Sequence, residues 1–319
     1  MTLVLTASDV RSLCDDLGPV LNAVRAGFLA GRGPDDIVGL RVRTPLPADG
    51  SATALLPGLL TGVPAYSVKV NAKFPGAKPA LRGVVCLHDL NDGELLALLD
   101  SAAVTAWRTG VAAALLTHQL ARASATTLGV IGAGAQARIV VRALAHLRRL
   151  TSVIVNDTDE SAAREFLRLA AELGIDGETA PSPDVVAKRA SIIVMATWSR
   201  IPLLALEHLR PGHHITTLAA DEPGKRELAG DVLGHALLVV DDRELVHAAG
   251  ATASAGLEAG AIDATATEVL RGEHPGRTRD EQVTAYAPIG LPWQDLALSW
   301  HLFQAAVEQG QGRTIDLLQ

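Results

Sequence analysis

Two hydrophobic periods divide this chain. Toward the N-terminus the period is two. Val38, Leu40 and Val42 alternate with Gly39, Arg41 and Arg43, and Tyr66, Val68, Val70, Ala72 and Phe74 alternate with Ser67, Lys69, Asn71 and Lys73. Such spacing puts successive side chains on opposite sides of a strand, so both segments predict strands with one apolar and one polar face. Residues 84–90 and 94–99, joined by Asn91-Asp92-Gly93, predict a β-hairpin. Residues 1–6 predict a first strand, with Ser8 expected to cap a helix beginning near Asp9. An antiparallel or mixed sheet is therefore expected in this part of the chain.

From Ser101 the spacing turns helical, with Val104, Trp107, Val111, Leu115 and His118 on one stripe. Apolar runs then recur at 128–131, 153–155, 192–196, 215–218 and 237–240, most of them separated by helical segments. Continuous apolar strands alternating with helices predict a parallel sheet covered on both faces. Pro292 opens a last amphipathic helix whose stripe reads Leu296, Trp300, Phe303 and Val307, and which is expected to return to the first domain. Residues 271–279, with Gly272, Pro275 and Gly276, read as a surface loop.

The run at 128–131 leads into Gly132-Ala133-Gly134-Ala135-Gln136-Ala137, a G-x-G-x-x-A turn between a strand and a helix. Gly132 permits the tight turn, Gly134 lets the backbone approach a pyrophosphate, and Ala137 allows close helix–strand packing. The phosphates would sit on the free N–H groups at the helix N-terminus. Asp157 closes the next strand about 20 residues on, where an acidic side chain accepts hydrogen bonds from ribose hydroxyls. Its charge opposes a 2′-phosphate, which favours NAD over NADP. A solvated turn, Asp157-Thr158-Asp159, accounts for the same residue without a ligand.

At 319 residues the chain can hold two domains. It has no apolar run of about 18 residues, so no membrane span is expected, and its first residues lack the pattern of a signal peptide. The net charge is −7 with basic residues scattered, which argues against nucleic acid or an anionic membrane as partner. Cys14 and Cys86 are the two cysteines, giving no disulfide framework or Cys-based metal site, and a reducing cytoplasm is the expected compartment. The ten histidines form no ligand-spaced pair, and neighbours His213 and His214 would point to opposite strand faces; no metal site is expected.

Candidate chemistry lies in two places. Asp221 follows the run at 215–220, level with the strand ends where open α/β sheets bind ligands; there a carboxylate can exchange a proton with a substrate nitrogen, or simply cap the following helix. Lys69 and Arg43 lie on polar strand faces, and Arg108 lies in the opening of a helix. Such cations suit a carboxylate clamp, and equally a solvated surface. Arg41 and Arg43 share a face, so periodicity does not choose between them.

Several segments together resemble the ornithine cyclodeaminase and mu-crystallin family. They are Val42-Arg43-Thr44; Lys69-Val70; 98–100 followed by Val104-Thr105-Ala106-Trp107-Arg108-Thr109; the G-A-G-A-Q-A turn; 193–197; Asp221 with Pro223-Gly224-Lys225 and Glu227-Leu228; and Gly290 with Asp295. The resemblance implies an α/β protein in which a Rossmann dinucleotide-binding domain, 109–289, interrupts a discontinuous α/β substrate-binding and dimerisation domain, 1–108 with 290–319. It implies that Arg43, Lys69 and Arg108 hold the carboxylate of a small amino or imino acid, and that Asp221 and Lys69 are the catalytic pair, Asp221 handling protons at the substrate nitrogen. Thr109, Gly132, Gly134, Ala135, Gln136, Asp157 and Thr197 are the implied dinucleotide contacts, and these groups are expected to converge beside the nicotinamide. A homodimer is implied, formed through the sheet of the substrate domain.

Members of such a family differ in reaction. Asn156-Asp157-Thr158-Asp159 resembles the NAD-using cyclodeaminases, which eliminate ammonia from ornithine or lysine to form proline or pipecolate. Those enzymes carry a Glu in an E-L-M-P segment, whereas here Ala54-Leu55-Leu56-Pro57 offers Ala54. The expectation is therefore net hydride transfer to or from a small α-imino or α-amino acid, as in a cyclic ketimine reductase or amino-acid dehydrogenase. A cyclodeaminase and a non-catalytic dinucleotide-binding protein are the alternatives. Two departures from the family pattern stand out: Pro288, which supplies no donor before Ile289-Gly290, and the bulky Trp198.

Overall fold

The computed structural model describes residues 1–30, 37, 42–77, 79–218 and 224–317. Two compact units emerge, Met1–Thr109 with Leu291–Gln319, and Gly110–Gly290. Unit 1 opens with β1 (Thr2–Leu5), α1 (Ala7–Leu13) and α2 (Leu17–Ala30), then β2 (Val42–Pro45), β3 (Ala52–Gly58), β4 (Ala65–Lys73), β5 (Leu81–Asp89) and β6 (Leu95–Asp100). Helix α3 (Ser101–Leu120) carries the chain into unit 2. There follow β7 (Thr127–Ile131), α4 (Ala135–Leu147), β8 (Ser152–Asn156), α5 (Glu160–Glu172), β9 (Asp176–Thr179), α6 (Pro183–Arg189), β10 (Ile192–Met195) and β11 (His214–Thr217). Unit 2 ends with α7 (Gly230–His235), β12 (Leu237–Val240), α8 (Arg243–Ala249), α9 (Ala251–Ala255), β13 (Ala264–Thr265), α10 (Ala266–Arg271) and β14 (Thr284–Tyr286). Unit 1 resumes with α11 (Pro292–Gln309) and β15 (Arg313–Ile315).

The sheet of unit 2 runs β13-β12-β14-β11-β10-β7-β8-β9, and every pair is parallel. Its β9-β8-β7-β10-β11 half is a doubly wound order with the switch point between β7 and β10, where such sheets bind ligands. Apolar runs bury these strands on both faces; all four residues of β10 are buried. Strand β9, Asp-Gly-Glu-Thr, carries no apolar signal because it is an exposed edge strand.

The unit 1 sheet runs β15-β1-β6-β5-β4-β3-β2 and is mixed, with β1 parallel to β6 and antiparallel to β15. The expected hairpin forms between β5 and β6. Two local expectations, the cap of α1 and the stripe of α11, are corrected, and the buried face of β4 is assigned. Thr6, and not Ser8, caps α1, through a capping box with Asp9. In β4 the polar residues Ser67, Lys69 and Asn71 are buried while Tyr66, Val68, Val70 and Ala72 are half-buried, because α11 packs over that side of β3, β4 and β5. The buried side of α11 includes Asp295, Leu298, Ser299, Leu302 and Ala306; of the expected stripe only Leu296 is fully buried, and Val307 is exposed. Phe28 of α2 meets Trp293 of α11 edge to face at 4.8 Å, fixing the helix across the sheet. Val38, Gly39, Leu40 and Arg41 lie outside the described residues. Among the described residues no helix is long and apolar enough to cross a membrane.

Candidate active site

In unit 2 the turn between β7 and α4 has the form a phosphate cradle requires. Gly132 adopts φ +90°, and a Cβ there would stand 2.6 Å from the Ala196 carbonyl oxygen, so no larger residue fits. Gly134 is the N-cap of α4, has no side-chain cap, and has nothing within 4 Å of where a Cβ would lie. The leading N–H groups of a 13-residue helix, beginning at Ala135 and Gln136, thus face open space, the arrangement that holds a pyrophosphate.

Asp157 sits against this turn. Its Oδ2 accepts from the Ala133 N–H at 2.6 Å and its Oδ1 from the Asp159 N–H at 2.8 Å. Each oxygen keeps a further lone pair for a hydroxyl donor. Asp157 also lines a cavity of about 630 Å³ with Asn156, Glu160, Arg164 and Thr179, a volume suited to a small-molecule group.

Thr197 follows β10, and its hydroxyl and N–H both go to Glu227 Oε1, at 2.8 and 2.6 Å. Glu227 Oε2 accepts from the Thr217 hydroxyl at 2.6 Å and the Leu218 N–H at 3.1 Å. One buried carboxylate therefore stitches together the loops leaving β10 and β11. Lys225 lies 4.4 Å over the Trp198 ring, which is 60% exposed. Asp221 lies outside the described residues, together with 219, 220, 222 and 223. The backbone after Pro288 is held differently: Asp241, buried beyond β12, accepts from the N–H groups of Ile289 and Gly290 at 2.9 and 2.6 Å.

In unit 1 the structure brings two of the predicted cations together. Lys69, midway along β4, donates from Nζ to Asp295 Oδ2 at 2.5 Å, and Arg108 donates from Nε to Asp295 Oδ1 at 3.2 Å. Arg108 Nη1 also donates to Gln294 Oε1 at 2.9 Å. Among the described residues, two cations share one carboxylate in this buried cluster, and their donors are of the kind that also hold the carboxylate of a ligand. Arg43 is exposed on β2. It pairs in register with Ala54, which pairs with Asn71; Leu56 pairs with Lys69. Arg43 thus shares the face of Lys69, two strands away. The Thr109 hydroxyl is buried without a hydrogen-bond partner.

Asp295 and Glu227 belong to segments quoted for the resemblance, yet sequence reasoning gave neither a role, and it passed over Gln294 and Asp241. The available signal was a polar pair, Gln294-Asp295, set inside the apolar stretch 291–298. Among the described residues no group of three or more His, Cys, Asp or Glu side chains is placed to hold a metal ion.

The family model described as "Ornithine cyclodeaminase/mu-crystallin family" matches residues 37–310. The alanine dehydrogenase of Archaeoglobus fulgidus is 30% identical, over 100% of this chain and 99% of that protein. The structure of Thermococcus litoralis Δ1-pyrroline-2-carboxylate reductase, in complex with NADH and L-proline, superposes with a TM-score of 0.92 at 27% identity, covering 98% of this chain and 100% of the other. An archaeal alanine dehydrogenase, solved as a dimer with bound NAD, gives a TM-score of 0.91 at 28% identity and 99% coverage of each chain. The chain belongs to the ornithine cyclodeaminase/mu-crystallin family.

Proposed function

We propose that this protein is an NAD-dependent oxidoreductase that transfers hydride to or from a small α-imino or α-amino acid, as a cyclic ketimine reductase or an amino-acid dehydrogenase does. The observation that carries the reading is the Lys69–Asp295–Arg108 cluster, two buried cations gathered on one carboxylate, in a chain whose other unit holds an open dinucleotide turn. Support comes from relatives that reduce pyrroline-2-carboxylate or oxidise alanine.

Gly132, Gly134, Ala135 and Gln136 would hold the pyrophosphate, and Asp157 the adenosine ribose, with Thr109 and Thr197 as the remaining contacts. Bound NAD(H) supplies or accepts the hydride. Lys69 and Arg108, with Arg43 on the same sheet face, fix the substrate carboxylate, and each charge-assisted hydrogen bond contributes about 1.5–3 kcal/mol. Fixing that end of the substrate orients its C=N carbon, the contribution hydride transfer most needs. Asp221 is assigned to proton exchange at the substrate nitrogen.

The protein is further proposed to act as a cytoplasmic homodimer. The side of the unit 1 sheet away from α11 presents Val42, Leu55 and Val84, at 47%, 41% and 38% exposure, in a row completed by Val70 between the last two. An apolar row of this kind suits a self-complementary interface. The two cysteines are free, which fits a reducing compartment.

Enzyme mixed with NADH and 1-pyrroline-2-carboxylate, or its six-membered analogue, is expected to consume NADH stoichiometrically. Ornithine or lysine with catalytic NAD is expected to yield no proline or pipecolate; a robust yield would assign the protein to the cyclodeaminases instead. Dinucleotide binding without turnover of these substrates, or of pyruvate with ammonia, would point to a non-catalytic role.

A further inference from the structure

We propose that Asn71 is a substrate-contacting residue, whose side-chain amide oxygen accepts a hydrogen bond from the substrate's N–H. The proposal deepens the imino-acid reading and rests on it. Asn71 is 8% exposed, yet its Oδ1 is buried with no hydrogen-bond partner. Leaving such a group unsatisfied costs about 1–3 kcal/mol, so this acceptor is available to a ligand donor.

Its neighbours say which ligand. Asn71 lies two residues along β4 from Lys69, on the same face, at about 7 Å between Cα positions, so one small molecule can touch both side chains. Across the ladder its partners are Ala54 on one side and Gly83 on the other. Gly83 cannot carry a side chain, since a Cβ there would fall 1.9 Å from the Val70 carbonyl oxygen. Beyond Ala54 stands Arg43. Asn71 is therefore flanked by the two smallest residues, on the face that carries Lys69 and Arg43. An α-imino acid held by its carboxylate on the cations would present its nitrogen to this oxygen.

The chemistry suits an amide better than a carboxylate. Hydride adds readily to a protonated imine: the C=N π electrons move to nitrogen, the hydride pair forms the new C–H bond, and nitrogen keeps its proton. An amide oxygen accepts the N–H hydrogen bond of that cation and is too weak a base to remove the proton.

Two isosteric rings test the proposal by binding alone. Pyrrole-2-carboxylate carries the N–H, and furan-2-carboxylate replaces it with an oxygen. In calorimetric titrations of the NADH complex, the wild type is expected to bind the pyrrole about tenfold more tightly. Asn71→Leu is expected to bind both equally and to keep or raise Tm, because an apolar isostere removes an unsatisfied polar group. Asn71→Asp, which retains an acceptor, is expected to keep the pyrrole preference. Should Asn71→Leu not fold, Asn71→Ser, too short to reach, is expected to lose the preference as well. Equal binding of the two rings by the wild type, or a preference that survives in the leucine or serine variant, overturns the role of Asn71. Binding of neither ring by the wild type overturns the carboxylate clamp itself, so the two failures are distinct.

Discussion

In unit 2 the central strand β10 buries four apolar residues, Ile192 to Met195, whereas β4 of unit 1 buries Ser67, Lys69 and Asn71 in mid-strand and leaves Val68 and Val70 half-buried. The dinucleotide turn of unit 2 works through the backbone, through a glycine with φ +90° and uncapped helix amides. The Lys69–Asp295–Arg108 cluster of unit 1 is built from side chains whose charges must be balanced away from water. Backbone chemistry is local and survives wherever the turn forms. Side-chain chemistry inside a sheet face exists only once a distant helix supplies the counter-charge.

The largest effect is expected from breaking the proposed clamp. If Lys69 and Arg108 hold the substrate carboxylate as proposed, Lys69→Met or Arg108→Ala is expected to lower kcat/KM for the imino acid by about 10³-fold. NADH affinity, measured by fluorescence titration, should stay within about twofold; a parallel loss would show that the two functions are not divided as proposed. Gly132→Ala tests the other side. Its Cβ meets the Ala196 carbonyl at 2.6 Å in a backbone conformation that L-residues avoid, and NADH binding is expected to weaken about 100-fold.

A smaller effect sharpens the comparison by placing side-chain chemistry in unit 2. Glu227→Gln keeps one acceptor oxygen but turns an NH2 toward donors that need the other, the Thr217 hydroxyl and Leu218 N–H or those of Thr197. The expected cost is about 2 kcal/mol, read as a Tm lower by about 5 °C. An unchanged Tm would mean that the loops after β10 and β11 hold without the carboxylate.

The smallest effect concerns acid. Burial, reinforced by Arg210, pushes His213 down to about 4, and burial, with Arg277 nearby, also holds His214 well below the usual histidine range. Both are in unit 2. Between the ordinary histidine value of about 6.5 and the depressed folded values, the unfolded chain takes up protons that the folded chain refuses. Stability is therefore complete above about pH 6.5 and is lost progressively as the pH falls through that window. A Tm lower by a few degrees at pH 5 than at pH 7.5 is expected, with His213→Asn reducing the difference; equal values at the two pH settings would contradict it.

Local signals made part of this molecule legible. The parallel sheet followed from apolar runs alternating with helices, and the glycine turn from its spacing, because each depends on residues a few positions apart. Strand β4 was legible as a strand by its period of two, but not which face was buried. The usual rule puts apolar residues inside, and α11 reversed it by covering the polar side. Helix α11 misled in the same way: Trp300, Phe303 and Val307 read as the inner stripe, while Asp295 lies buried.

By itself the sequence determined the two alternation periods, the dinucleotide turn with its following acidic residue, and the family motifs, all carried by covalent neighbours and backbone geometry. Tertiary structure alone decided that Asp295 would be a buried carboxylate. Its partners Lys69 and Arg108 are 226 and 187 positions away along the chain, and a buried charge is tolerable only where folding brings opposite charges into contact with it.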